Sequence, residues 1–408
     1  MTLQLGETVE GRWKDLPDDM CYLILDHLDH ISVLSFSVTC KPWAKVCSSI
    51  PVFKSGMATL ITSRPDVDGS RIEYDLHDGL FGLNVVSTQA SVVCQSHALE
   101  NRFWVGGKND WVVLCDDLLN VELFNPITNT RVPLPSFSTI PDASIDPYFS
   151  SSLQYAPFSR LIERIALCQT PRHPDGYLAV AQFSEGFLAF TSASNFSWVA
   201  LKNPTDVDGM VNYCPEHFLD AIVHMNNVLA VNMYGEIYSW DMRSPSVHPT
   251  RMMAPTQVPH PGFPFRGVYL AISPPGSVMV IFVHGSALYH RQGMRILPHV
   301  QCRFAHPDWV LIFEFEQGSN EWRRVSSLES SLFIGLNYPF YDCTGDLKNN
   351  HVYVSEIGDH DAAIFPVDMG EVELLDYPIK GGSLDVGASR RTPMWFRPTI
   401  RPVQDGAY

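Results

Sequence analysis

The sequence of 408 residues lacks several features that define broad classes of protein. No apolar run approaches the roughly 18 residues that cross a bilayer, so we expect no membrane helix. The first thirteen residues contain no basic segment followed by an apolar one, which argues against a secretory signal. None of the nine cysteines belongs to a C-x-x-C pair, and their wide spacing is typical of reduced thiols. These absences predict a protein of the cytoplasm and/or the nucleus, with no membrane partner.

Basic residues are scarce as well. The chain has 28 Lys and Arg against 44 Asp and Glu, which gives a formal net charge of −16. Arg323-Arg324 and Arg390-Arg391 are the longest basic clusters, and each is only a pair. Nucleic acids are bound largely by neutralising their phosphates, so we expect no nucleic-acid partner.

The motifs of common cofactor and catalytic sites are also missing. The sequence contains no G-x-G-x-x-G, no G-x-x-x-x-G-K-[ST], no G-x-S-x-G and no H-E-x-x-H. The fifteen histidines are dispersed, and the acidic groups at 206–209 and 359–361 have the composition of tight turns. We therefore expect no cofactor, no metal and no catalytic residue.

A helical pattern at 13–49 is the most distinctive stretch that the chain does contain. Pro17 is expected just inside the start of a helix, and the two aspartates after it suit the first turn. Cys21, Leu25 and Leu28 recur at spacings of three and four, which places them on one face. Ser32 can cap a second helix, and Pro42 can begin a third. Three short helices cannot enclose all of these apolar groups, so part of this surface is expected to bind a partner.

This stretch resembles an F-box, the motif that joins a substrate receptor to the Skp-family adaptor of a cullin–RING ubiquitin ligase. Leu16-Pro17, Ile24-Leu25, Leu28 and the closing Cys40-Lys41-Pro42-Trp43 match the family pattern in order and spacing. Ser32 and Pro42 depart from it. The resemblance implies that the adaptor face is formed or supported by nine residues: Leu16, Pro17, Ile24, Leu25, Leu28, Val33, Leu34, Val38 and Trp43. The alternative is that these groups pack only among themselves, as a cap on the next domain.

Beyond residue 51 the pattern changes to short apolar runs separated by Gly, Pro, Asn, Asp and Ser, which predicts an all-β fold. Strands are expected at 57–61, 103–105, 111–115, 121–124, 177–183, 186–191, 221–224, 228–232, 236–240, 278–283, 310–315 and 351–355. A unit of strand, polar turn and returning strand recurs at 123–135, 187–201, 237–241, 311–325 and 363–375. Such recurring hairpins favour a kelch-like, degenerate β-propeller of five to seven blades, without kelch's double-glycine signature. A β-sandwich with long insertions is the structural alternative.

The β-region is similar to the plant F-box-associated domain called KIB-type. The similarity rests on 110–114 with 124–128, 321–325 with Leu328, 332–335 and 394–396. It implies a propeller that holds a protein substrate, and a plant source. We accordingly divide the chain into an F-box at 13–50, a linker at 51–59 and a KIB-type propeller at 60–400.

Two aromatic loops are candidates for binding a substrate, because aromatic and Arg side chains are frequent interface anchors. One contains Phe263, Phe265 and Arg266, and the other contains Tyr338 and Phe340; we expect both on the rim of the ring. The sequence thus predicts the substrate-recognition subunit of an SCF-type cullin–RING E3 ligase, non-catalytic itself, with adaptor, cullin, RING subunit and an unidentified substrate as partners. A non-ligase binding propeller and, further off, a propeller hydrolase with a carboxylate pair are the alternatives.

Overall fold

The computed structural model describes both regions of the chain, with gaps. The described residues are 13–28, 32–33, 36, 39–47, 57–63, 79–87, 90–100, 102–116, 118, 120–140, 162–183, 186–202, 204, 218–256, 265–284, 309–316, 318–342, 345, 347–357, 360–375 and 393–398. The helices are a 3₁₀ turn at Trp13–Asp15, α1 (Asp18–Leu25) and α2 (Lys41–Cys47), with further 3₁₀ turns at His97–Leu99 and Phe137–Thr139. Ser32, Val33, Phe36 and Thr39 are also helical.

The N-terminal helices pack around a small core of their own. Pro17 lies at the N-cap of α1 rather than inside the helix, and its carbonyl oxygen accepts from the backbone N–H groups of Met20 and Cys21. Two contacts fix α2: the Trp43 ring stacks on Phe36 at 4.1 Å between centroids, and its indole N–H donates to the carbonyl oxygen of Trp13 at 3.1 Å. The buried members of this core are Cys21, Leu25, Val33, Phe36, Val46 and Cys47.

The rest of the described chain forms 25 strands in six sheets. The first sheet, blade 1, joins β1 (Thr59–Ser63), β2 (Leu80–Val85) and β3 (Ala90–Gln95) to the last strand, β25 (Met394–Phe396). Blade 2 contains β4 (Arg102–Lys108), β5 (Trp111–Asp116), β6 (Val121–Asn125) and β7 (Thr130–Pro133). Blade 3 contains β8 (Ile162–Gln169), β9 (Leu178–Phe183), β10 (Leu188–Ser192) and β11 (Val199–Ala200).

The remaining blades follow the same order. Blade 4 contains β12 (Phe218–His224), β13 (Asn227–Asn232), β14 (Ile237–Asp241) and β15 (Thr250–Met252). Blade 5 contains β16 (Phe265–Ile272), β17 (Val278–His284), β18 (Trp309–Glu316) and β19 (Glu321–Val325). Blade 6 contains β20 (Leu332–Ile334), β21 (Phe340–Tyr341), β22 (His351–Ile357), β23 (His360–Pro366) and β24 (Glu373–Leu375).

These sheets are the blades of a six-bladed β-propeller. In blades 2 to 5 the strands pair antiparallel in chain order, and the first strands of neighbouring blades, such as β4 with β8 and β12 with β16, contact each other at the centre. Blade 1 closes the ring, because β25 supplies its inner strand and pairs antiparallel with β1, with Trp395 opposite Leu60. Blade 6 is irregular: β20 pairs parallel with β22 and antiparallel with β21 on its other side.

The two faces of each blade are covered by different neighbours, which explains why its strands are apolar throughout. In β5, Val113 and Cys115 pack with Ile165 of blade 3, whereas Val112 and Leu114 pack towards blade 1. Alternate residues of a strand point to opposite faces, so both sets must be apolar where both faces are covered.

Tryptophan side chains join the outer parts of successive blades. The indole N–H of Trp198 in blade 3 donates to the carbonyl oxygen of Pro135, which follows the last strand of blade 2, at 2.7 Å. Trp240 and Trp322 make the equivalent bonds to the carbonyl oxygens of Lys202 at 2.7 Å and Met253 at 2.9 Å. A large apolar ring with one polar atom can thus fill an interface and satisfy a backbone group there.

The prediction of a mainly β propeller is confirmed, and the blade number is six. Every strand expected from the sequence overlaps an observed strand, and the recurring unit proves to be the outer hairpin of blades 2 to 6. A β-sandwich is wrong, because six separate sheets surround one centre. The inner strands β8 and β16 were not anticipated, nor was the pairing of β25 with β1.

Replacing Trp395 with alanine tests the closure of the ring. Trp395 is buried and packs edge-on against Phe333 and Tyr353 of blade 6. The cavity should lower the free energy of unfolding by about 3–5 kcal/mol in a denaturant titration. The control Leu374→Ala, on an outer strand and 45% exposed, should cost less than about 0.5 kcal/mol. Equal losses in the two variants would contradict the assigned role of β25.

Candidate functional site

The nine predicted adaptor residues fall into three groups. Leu25 and Val33 are buried in the helical core and can only support a binding surface from beneath. Leu34 and Val38 lie outside the described residues. The other five reach the surface: Pro17 is exposed, and Leu16, Ile24, Leu28 and Trp43 are partly buried against the core.

The structure adds two residues that the sequence interpretation missed. Met20 is 48% exposed and Leu23 is 56% exposed, and both are large apolar side chains on α1. At 100° per residue they lie beside Ile24 on the side of α1 that turns away from Cys21 and Leu25. We call Leu16, Pro17, Met20, Leu23 and Ile24 the α1 face. The spacing of residues 16, 20 and 23 was the signal that could have identified it.

Acidic side chains lie close to the α1 face. Asp15, Asp18, Asp19 and Asp26 are all exposed, and Asp18 and Asp19 occupy the first turn of α1, where a helix favours negative charge. The two buried thiols behind the face are unreactive: burial raises the pKa of Cys47 to about 11 and raises that of Cys21 as well. The described part of the module therefore offers an apolar surface with acidic residues beside it, and the thiols of Cys21 and Cys47 are buried away from that surface.

The second candidate site lies at the centre of the ring, where a segment of blade 6 crosses the ends of the inner strands. Asn337 forms a parallel bridge with Gly107 on β4, and the backbone N–H of Tyr338 donates to the carbonyl oxygen of Gly107 at 2.7 Å. The Tyr338 hydroxyl lies 3.5 Å from the carbonyl oxygen of Val223 on β12. We call residues 335–341 the central segment.

A buried ion pair holds the central segment from below. Arg164 on β8 and Asp220 on β12 pair through Nη1 and Oδ1, and both side chains are almost completely buried. Arg164 also donates through Nη2 to the carbonyl oxygen of Asn337 at 2.7 Å. The other Asp220 oxygen accepts from the backbone N–H of Leu270 on β16 at 2.9 Å. Three inner strands and the central segment are thereby joined through two side chains.

Glycine is required where inner strands approach most closely. A Cβ at Gly106 on β4 would overlap the carbonyl oxygen of Ile165 on β8. The adjacent Gly107 has no room for a side chain either, because a Cβ there would meet Trp111 and Met394. This pair of glycines therefore reflects packing at the ring centre, not a repeat signature.

The structure describes only some of the predicted substrate residues. Tyr338 and Phe340 are partly buried at the ring centre rather than on an outer rim, with Phe340 stacked on Phe333 at 4.8 Å. Phe263 lies outside the described residues. Phe265 and Arg266 begin β16, but their side chains are not described. Whether these five residues bind a substrate stays a prediction.

Among the described residues, no three His, Cys, Asp or Glu side chains are arranged to hold a metal ion. Within the same ranges, no helix is long and apolar enough to cross a membrane.

Comparison with known families agrees with this geometry. Residues 83–370 match the model of the KIB1-4 β-propeller, and residues 13–55 match that of the F-box domain. The chain belongs to the KIB1-4 β-propeller family and carries an F-box region before the propeller. No curated protein matches the sequence significantly.

Two solved structures are distantly similar to this chain. The β-propeller domain of Cps50 (Swd1) from Myceliophteria thermophila matches at 12% identity and a TM-score of 0.36, covering 84% of this chain and 97% of that one. The N-terminal domain of Nup159 matches at 8% identity and a TM-score of 0.34, covering 84% and 86%. Likeness at this level supports no inference about function.

The buried ion pair at the ring centre can be tested by a double-mutant cycle. Asp220→Asn leaves an acceptor for Leu270 but removes the charge beside buried Arg164, so it should destabilise the protein by about 3–5 kcal/mol. Arg164→Met combined with Asp220→Asn should cost clearly less than Asp220→Asn alone, because no buried charge is then uncompensated. Denaturant unfolding of all four proteins measures both quantities, and simple additivity would contradict the coupling.

Proposed function

We propose that this protein is the substrate-recognition subunit of an SCF-type cullin–RING E3 ubiquitin ligase. The observation that carries the proposal is the α1 face, a set of large apolar side chains left at the surface of an F-box module whose core is already filled. Exposed apolar surface of this kind indicates a protein partner. For an F-box, that partner is a Skp-type adaptor, which connects to cullin and RING subunits.

The proposed mechanism is positional. The F-box binds the adaptor, the propeller binds a protein substrate, and the complex holds a substrate lysine near a ubiquitin-charged enzyme. Linking two binding modules raises the effective concentration of the reacting groups without bond chemistry by the receptor. F-box and propeller domains are typical of such non-catalytic proteins. We further propose a plant source, action in the cytoplasm and/or the nucleus, and the domain limits 13–50, 51–59 and 60–400.

The roles of the adaptor residues differ in this proposal. Leu16, Pro17 and Ile24, with Met20 and Leu23, contact the adaptor directly, and Leu28 and Trp43 extend that surface. Leu25 and Val33 hold α1 in place from inside the core. Leu34 and Val38 are retained as predicted adaptor residues. Substrate contact is assigned to Phe263, Phe265, Arg266, Tyr338 and Phe340.

Replacing both Leu16 and Pro17 with alanine tests the adaptor assignment. The double variant should lose co-purification with a Skp-type adaptor, because it removes apolar contact at the start of α1. Circular dichroism should show the β-domain unchanged. Adaptor binding at the wild-type level in this variant would overturn the proposal, and failure of the wild type to bind would favour a cap without ligase function.

A second variant separates contact from folding. Met20→Lys with Leu23→Lys changes only exposed side chains, so the helical core should remain intact while adaptor affinity falls by about a hundredfold. The matched control is Phe196→Lys, which alters a 96% exposed aromatic between two strands of blade 3. Calorimetric titration with purified adaptor should show no change for this control. An equal loss in both variants would show that the α1 face is not the specific contact.

A further inference from the structure

Three cationic side chains gather around one hairpin turn beside the central segment. The turn connects β4 to β5 and contains Asn109, at φ 54°, and Asp110. Lys108 ends β4, Arg172 follows β8, and Arg397 follows β25, so three different blades contribute one cation each. Asp110 in the same turn pairs with Arg172, so the cluster brings three cations and one carboxylate together.

Each cation is held at a fixed place. Lys108 donates through Nζ to the carbonyl oxygen of Cys168 at 2.6 Å. Arg172 pairs through Nη1 with Oδ2 of the buried Asp110 at 2.7 Å. Arg397 makes two hydrogen bonds to Asn109. Its backbone N–H donates to the carbonyl oxygen at 2.9 Å, and its Nη2 donates to Oδ1 at 2.8 Å. Fixed side chains lose less conformational entropy on binding a ligand than free ones do.

Two of the cations also lie over the aromatic rings of the central segment. Lys108 Nζ is 4.2 Å from the ring centre of Tyr338, and the Arg397 guanidinium is 5.3 Å from that of Phe340. A ring face attracts a cation but leaves its charge in place. Nε of Arg397 is shielded from solvent and has no hydrogen-bond partner in the described structure.

The same five side chains remain within reach of a ligand. Lys108, Arg172, Tyr338, Phe340 and Arg397 are all partly exposed, whereas the Arg164–Asp220 pair beneath them is buried. The central segment already crosses the inner strands, so a ligand would lie on top of it rather than inside the ring. An open surface with several separate cations and aromatic rings suits an extended chain better than a small molecule.

We call the surface formed by Lys108, Arg172, Tyr338, Phe340 and Arg397 the cationic mouth. We propose that it binds an acidic segment of a protein substrate. Glutamate or aspartate carboxylates of that segment would bind Arg397, Arg172 and Lys108, and its backbone or apolar side chains would pack on Tyr338. Guanidinium groups bind carboxylates through paired, charge-assisted hydrogen bonds. The net charge of −16 disfavours a nucleic acid, whose many phosphates would meet an acidic protein around this small patch. The inference rests on the proposed receptor function and specifies the substrate chemistry.

The wild-type protein supplies the primary test. A fluorescein-labelled glutamate-rich peptide should bind at least about tenfold more tightly, by fluorescence anisotropy, than the same peptide with glutamine at every glutamate. The preference should shrink between about 50 and about 300 mM salt. Equal affinity for the two peptides would overturn the inference, and so would tighter binding of a single-stranded oligothymidine than of the glutamate peptide.

Variants locate the contact. Lys108→Gln keeps a donor for Cys168, and Arg397→Gln keeps one for Asn109. Each substitution should lower the affinity for the glutamate peptide by about five- to tenfold. The matched control Arg131→Gln removes one charge from the outer strand β7, where Arg131 pairs with Glu122, and should change affinity by less than about twofold. An equal loss in the control would contradict the location. If either centre variant unfolds, crosslinking of a benzophenone-labelled glutamate peptide to wild type decides. Labelling within 335–341, or at Lys108, Arg172 or Arg397, supports the site, and labelling confined to other parts of the chain overturns it.

Adaptor binding measured on the same preparations keeps the two proposals separate. If the glutamate preference is absent while adaptor binding is intact, only the proposal of the cationic mouth is refuted. If the glutamate preference is present without adaptor binding, the proposed ligase function is refuted and the proposed acidic-segment site stands.

Discussion

The pairing of the last strand with the first is the constraint on which the propeller depends. Each blade has two apolar faces, and each face is covered only by the next blade, so an unclosed row of blades would expose an apolar face at both ends. β25 removes those ends by becoming the inner strand of blade 1. Trp395 then packs against blade 6 from within the closing sheet, which joins the sheet pairing to the side-chain core.

Closure also explains how the centre can hold charged groups. Because the inner strands of all blades are fixed around one axis, Arg164, Asp220 and Asn337 meet although they are distant in sequence. The same arrangement brings Lys108, Arg172 and Arg397 to one turn. A rigid ring thereby presents a preorganised surface, whereas the F-box module offers its apolar face from a much smaller core.

Much of the fold was readable from the sequence because the outer hairpins carry local signals. Phe124-Asn125-Pro126 illustrates this: an apolar strand ends at Asn125, whose side chain accepts from the backbone N–H groups of Ile127 and Thr128 and so forms the turn. The inner strands carry weaker local signals in the sequence. Arg164 and Asp220 interrupt β8 and β12 with buried charges, and only the closed ring supplies their partners.

The candidate sites were predictable to different degrees. Leu16, Pro17 and Ile24 could be identified because the F-box pattern is local, whereas Met20 and Leu23 required the helix to be oriented by its buried face. The cationic mouth could not be foreseen, because its charges come from three blades and meet only through long-range packing. Tyr338 was singled out as an aromatic in a loop. Its place at the ring centre follows from the bridge between Asn337 and Gly107 and from its own backbone hydrogen bond to Gly107, which no local pattern encodes.

Affinity purification under proteasome inhibition, with the full chain compared with a chain that ends before Met394, tests directly whether the protein joins a ligase adaptor to a substrate. Both chains should retain a Skp-type adaptor with cullin and RING subunits. Only the full chain, with its ring closed, should also retain a ubiquitinated protein that carries an acidic segment. Absence of the adaptor from the full-chain complex would contradict the proposed role as a ligase receptor.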